Sequence, residues 1–172
     1  YDVPKRQLKH QITDGEWMVR KVEYVDEEKQ EICFQASGIY PEQDPYYIHY
    51  CRVNLDGSNL VFLTEGNGTH TIQWSPDKQF LVDTWSRVDQ TPIHELRRAK
   101  DGKLLCKLAE ANWDELLQSG WQIPQRFLAK GRDGETDIYG VIWRPTNFYR
   151  GKEYPVIENI YAGPHGAFVP KS

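Results

Sequence analysis

At 172 residues, with a net charge of −4 and a pI near 5.7, the chain has room for one ordinary domain or parts of two. That charge balance gives no electrostatic case for nucleic acid or an anionic membrane surface. No stretch approaches the roughly 18 apolar residues of a membrane span, and no basic-then-apolar leader opens the sequence at Tyr1.

Taken in chain order, the first two-thirds alternates apolar and polar residues in short aromatic and β-branched runs, the pattern of half-buried strands. Runs are expected at 17–25, 31–37, 46–55, 59–64, 70–74, 79–86, 92–99 and 103–109. Between them stand turn signals: Asp26-Glu27-Glu28, the segment from Pro41 to Pro45, Asp56-Gly57, Ser75-Pro76-Asp77 and Asp101-Gly102. The charged Glu27-Glu28 pair reads as a solvated turn and not as a ligand for a substrate amine. The two halves repeat: Asp56-Gly57 and Asp101-Gly102 lie 45 residues apart, each Asp is followed seven positions on by Leu (Leu63, Leu108), and Arg52 superposes on Arg97. "QLKHQITDGEW" at 7–17 echoes the end of the first unit, since "ITDG" matches "LTEG" at 63–66. A four-strand unit recurring at this period is the signature of propeller blades. The expected fold is therefore mainly β, two and a bit four-stranded blades, and residues 1–111 are assigned to them. An autonomous β-sandwich is the competing account, but sandwich strands need not repeat.

From Asn112 the texture changes. Trp113, Leu116 and Leu117 fall at i, i+3 and i+4, acids lead the run, and Gly120 stands where a helix would stop, so 112–125 reads as a linker with a short helix. A hairpin turning at Asp133-Gly134 follows, and then "PVIENIY" at 155–161, whose nearly unbroken hydrophobicity suits a strand covered on both faces. Residues 126–172 are read as the opening strands of another domain.

The three cysteines (Cys33, Cys51, Cys106) have no metal spacing, and an odd count argues against a disulfide framework. Cys33 and Cys51 lie on neighbouring predicted strands, where either a cross-strand bond or two buried thiols would fit. The five scattered histidines suggest no zinc site, Asp133 and Asp137 lack the further oxygens calcium needs, and "KGRDGE" lacks P-loop spacing, so neither metal nor cofactor is expected. Asn67-Gly68-Thr69 is a glycosylation sequon that also makes a good turn.

"ITDGEWMV" at 12–19, the run from Tyr50 to Thr64, "WSPDKQFLVDTWSRVDQTP" at 74–92, "DIYGVIWRPTNF" at 137–148 and "KEYPVIENIYAGP" at 152–164 together resemble the prolyl oligopeptidase family of serine peptidases, most closely its dipeptidyl peptidase IV-like branch. The resemblance keeps order and spacing over essentially the whole chain. It implies the last blades of a propeller followed by the start of an α/β-hydrolase domain. It also implies a parent enzyme that removes dipeptides from peptide N-termini, of Xaa-Pro type, in the periplasm or otherwise outside the cytoplasm. Peptides are the implied partners, and the resemblance leaves open whether the parent is a homodimer. It assigns Tyr161 to the oxyanion hole and places Pro164 and His165 on the loop beside the substrate. None of the six serines (Ser37, Ser58, Ser75, Ser86, Ser119, Ser172) sits in a G-x-S-x-G elbow, so the triad is expected outside this chain and the chain by itself is expected to be inactive. The alternative is a propeller interaction module of a homologue that has lost its triad.

Overall fold

The computed structural model describes residues 1–161 and 167–172. Two antiparallel four-stranded sheets form first: β1 (Met18–Asp26), β2 (Glu31–Ser37), β3 (Ile48–Asn54) and β4 (Val61–Phe62), then β5 (Thr69–Trp74), β6 (Phe80–Arg87), β7 (Gln90–Arg98) and β8 (Leu104–Glu110). Each sheet keeps its strands in sequence order, so turns and one ten-residue loop between β2 and β3 connect neighbours without crossovers. The expectation of two consecutive four-stranded units is met strand for strand. The fourth strand of the first unit is shorter than the run at 59–64, because Thr64 departs from the ladder. Leu63 N–H still donates to the Tyr50 carbonyl (2.8 Å), but the next bond comes from Tyr50 N–H to the Thr64 hydroxyl (3.0 Å).

Strand alternation sorts the side chains of the first sheet onto two faces. One face carries Cys33, Tyr50 and Leu63 against Leu81 and Ala99 of the second sheet, with Tyr24, Ile72 and Trp74 around them. The opposite face carries Phe34, Ala36, Cys51 and Val53 under Ile12 and Trp17 of the N-terminal segment, with the Trp17 and Phe34 rings stacked at 5.7 Å. Cys33 is paired with Arg52, and Cys51 with Phe34. The two cysteines are thus one register step apart, on opposite faces, and both are free buried thiols. Burial pushes each thiol up to about 12. Glu27 and Glu28 lie exposed in the β1–β2 turn, as the sequence leads one to expect.

Helix α1 (Asp114–Gln118) begins with Asp114 N–H donating to the Asn112 side chain (2.9 Å) and ends at Gly120, whose positive φ of 89° turns the chain out. Strands β9 (Gln125–Lys130) and β10 (Asp137–Ile142) then pair antiparallel as a separate hairpin. In its turn the Asp133 carboxylate accepts from the Glu135 and Thr136 amides (3.0 and 2.9 Å), and these bonds with the Thr136 hydroxyl hold it down at about 2.

One expectation fails. Residues 155–161 form no strand in this chain: Val156 and Ile157 are 90% and 94% exposed, and Ile160 and Tyr161 are 70% and 66% exposed. A strand buried on both faces needs neighbours to pair with and layers to cover it, and among the described residues no strand pairs with this segment.

Candidate functional site

The hairpin meets the two sheets at one end. The loop joining β2 to β3 and the turn joining β6 to β7 are the equivalent connections of the two units, and both reach it. Arg126 on β9 donates from Nε to Asp89 Oδ2 (2.9 Å) and from Nη1 to the Tyr47 hydroxyl (2.8 Å). Asp89 also accepts from Arg87 Nε through its other oxygen (2.8 Å). Burial alone would raise the Asp89 carboxyl, but the hydrogen bonds from the two guanidinium groups outweigh it and hold it below the usual carboxylate range. Burial pushes the Tyr47 phenol up to about 12, against the pull of Arg126, so it stays a neutral acceptor.

Beside this junction Lys171 pairs with Asp44 (2.7 Å), with its ammonium 4.8 Å from the Tyr46 ring centre and 5.2 Å from that of Tyr139. A cavity of about 230 Å³ lies here, bordered by Asp44, Tyr47, Arg126, Phe127, Tyr139 and Lys171. Of the residues the family resemblance singles out, Tyr161 has an exposed ring that packs against Phe168 at 5.7 Å between centres. Phe168 borders a second cavity, of about 310 Å³, with Tyr46, Ile48 and Lys171. Pro164 and His165 lie outside the described residues.

A second polar cluster is buried in the seam between the sheets, and sequence reasoning missed it. His70 meets Asp83 Oδ1 through Nδ1 (2.8 Å) and the Gly66 carbonyl through Nε2 (2.9 Å). Arg97 donates to Glu95 Oε2 from Nε and Nη2 (3.2 and 2.7 Å) and to the Gly102 carbonyl (3.0 Å). Its Nε is also 3.2 Å from Asp83 Oδ2, close enough for charge attraction but not aligned for a hydrogen bond. His49, whose ring centre is 4.6 Å from that of His70, holds Thr64 and Gln43; burial, reinforced by His70, pushes it down to about 3. The His70–Asp83 pair has the form of a catalytic dyad, but both side chains are fully buried and substrate cannot reach them. The pair instead ties β5 to β6 within the second sheet, at the face where the His70 ring meets His49 of the first. Among the described residues no group of three or more His, Cys, Asp or Glu is placed to hold a metal ion, and no helix is long and apolar enough to cross a membrane.

Comparison with known proteins places these sheets. Residues 1–92, more than half of the chain, match the model of the dipeptidyl peptidase IV (DPP IV) N-terminal region. The chain belongs to this family. Among curated relatives, the protein named "Probable dipeptidyl-aminopeptidase B" from Tuber melanosporum (strain Mel28) is 27% identical over 171 residues, covering 94% of this chain and 18% of the relative. Dipeptidyl peptidase 8 from Homo sapiens is 26% identical over 166 residues, covering 89% of this chain and 18% of the relative. The chain thus spans under a fifth of the length of these relatives. A crystal structure from Bacteroides ovatus ATCC 8483, assigned as a dipeptidyl aminopeptidase IV, superposes with a TM-score of 0.66 at 25% identity, covering 92% of this chain and 22% of that one. Porphyromonas gingivalis dipeptidyl peptidase 4, at a TM-score of 0.62 and 21% identity, shares the fold over 85% of this chain and 20% of its own. The two four-stranded sheets are propeller blades of the DPP IV N-terminal type.

Proposed function

We propose that this chain is the junction of a serine-type dipeptidyl peptidase. Residues 1–111 are the last blades of its propeller, 112–125 the linker and 126–172 the start of its α/β-hydrolase domain. The carrying observation is the match to the DPP IV N-terminal region. A hairpin and an unpaired apolar segment ending at Tyr161 follow the blades. In the parent, strands from the rest of the hydrolase domain would pair with 155–161 and cover it. Tyr161 would then stand at a strand end as a phenol donating to the oxyanion of the acyl-transfer intermediate, with Pro164 and His165 on the adjoining loop. The parent would release dipeptides, preferentially of Xaa-Pro type, through an acyl-enzyme formed by a Ser-Asp-His triad contributed from outside this chain. It would act in the periplasm or otherwise outside the cytoplasm, and the chain alone would hydrolyse nothing.

The test is Tyr161→Phe in the full-length protein, assayed on a dipeptidyl-Pro reporter. Loss of one oxyanion donor should lower kcat by roughly 10²–10³-fold. An unchanged kcat removes Tyr161 from the mechanism. A full-length sequence without a G-x-S-x-G elbow would overturn the peptidase reading in favour of a propeller interaction module.

A further inference from the structure

Arg126 ties three separate parts of the structure together. It belongs to β9, yet its two hydrogen-bonded partners come from different blades: Tyr47 immediately precedes β3 of the first, and Asp89 sits in the β6–β7 turn of the second. The planar guanidinium suits this role, because Nε and Nη1 point along separate fixed directions that one ammonium cannot reproduce. Both acceptors are themselves held in place. Tyr47 is 1% exposed, and Asp89 is tied by Arg87, which in turn donates to the Asn67 carbonyl (2.9 Å). Arg126 therefore reaches into a rigid socket formed by both blades.

We propose that Arg126 is a positioning residue that fixes the hairpin, and with it the segment leading to Tyr161, against the ends of both blades. The effect on turnover rests on the peptidase reading above; the mechanical role does not. Neither residue pair works alone: Asp89 neutralises the guanidinium, and Tyr47 sets its orientation. Lys171, paired with Asp44 under Tyr46 and Tyr139, closes the same junction from the other side of the cavity.

The experiment is amide hydrogen exchange on the full-length protein, comparing the β9–β10 hairpin with blade strands β2, β3, β6 and β7. In Arg126→Met the hairpin amides should exchange roughly tenfold faster while the blade amides keep their rates. Tyr47→Phe, which removes only a hydroxyl and leaves the buried ring, should give a smaller acceleration of roughly two- to fivefold. Arg126→Met combined with Asp89→Asn should be no faster than Arg126→Met alone, because both changes break the same link. Additive acceleration in the double variant, equal acceleration in blades and hairpin, or no change would each overturn the proposal. Where the wild-type protein turns over a dipeptidyl-Pro reporter, Arg126→Met should lower kcat at unchanged KM, and a change in KM alone would overturn the positioning role. A wild-type protein with no turnover sinks the peptidase reading, yet the exchange measurement still decides whether Arg126 fixes the hairpin.

Discussion

Gly102 in the β7–β8 turn lies directly against the carbonyl oxygen of Phe62 at the end of the first blade, so closely that a Cβ on Gly102 would overlap it. Gly57, its counterpart in the β3–β4 turn, stands in the same relation to Ile12, where a Cβ would come within 3.0 Å of the carbonyl oxygen. Each Asp-Gly turn therefore abuts the end of the unit before it, and residues 7–17 occupy toward the first blade the place that 62–66 occupy toward the second. The sequence repeat is a repeat of contacts.

Both turns have positive φ (89° at Gly57, 70° at Gly102), so Gly102→Ala adds backbone strain to a main-chain collision. It should lower unfolding free energy by about 1–3 kcal/mol, read from urea denaturation. Gly134→Ala is the control: its φ is 74°, but the space around it is open, so only the conformational cost remains. Equal losses at the two positions would show that the blade contact contributes nothing.

Cys33 and Cys51 are buried with their thiols pushed up to about 12, whereas Cys106 is exposed. Alkylation of the native chain at pH 8 should add one adduct, at Cys106, and denaturation should raise the count to three. A Cys33–Cys51 crosslink under oxidising conditions would contradict the register.

His49 has a folded-state value near 3, well below the ordinary 6.5 that it regains on unfolding. Between those two values the unfolded chain binds a proton that the folded one refuses, so stability is present above pH 6.5 and falls as pH is lowered toward 3. The groups around the ring are Tyr40, Gln43, Thr64 and His70. The slope should approach about 1.4 kcal/mol per pH unit below pH 6 from this residue. In His49→Gln the stability profile between pH 4.5 and 6.5, above most carboxylate titrations, should flatten. A slope identical to wild type there would exclude His49 as its source.

Arg97→Met leaves Asp83 and Glu95 facing each other in the seam without their shared cation, and should cost about 3–5 kcal/mol. Arg98→Met, one residue on and pointing to the opposite face, removes only an exposed pair with Asp101 and should leave the unfolding midpoint in place. Similar midpoints for the two variants would show that the buried network is dispensable.

Strand order and the two-blade repeat were legible because they depend on local signals: period-two alternation, Asp-Gly turns and a helix bounded by Asn112 and Gly120. The relation of Cys33 to Cys51 was not, since one register step separates facing side chains from opposed ones. The seam around His70, Asp83 and Arg97 was equally hidden. In "ELRRA" the arginines Arg97 and Arg98 look alike, and only the neighbouring blade makes one of them buried. Arg126, Tyr47 and Asp89 are dispersed over 79 residues of sequence, with no local pattern to join them. The run at 155–161 was recognised as apolar, but burial depends on strands elsewhere, and hydrophobicity alone cannot supply them.

That exposed run has a consequence for handling the molecule. Residues 155–161 combine β-branched and aromatic side chains with a single charge, Glu158, and their main-chain groups are not engaged by any neighbouring strand of the described residues. Such a segment offers an open template for cross-β association between copies. Residues 1–172 prepared alone would therefore expose an aggregation-prone segment while both blades remain folded.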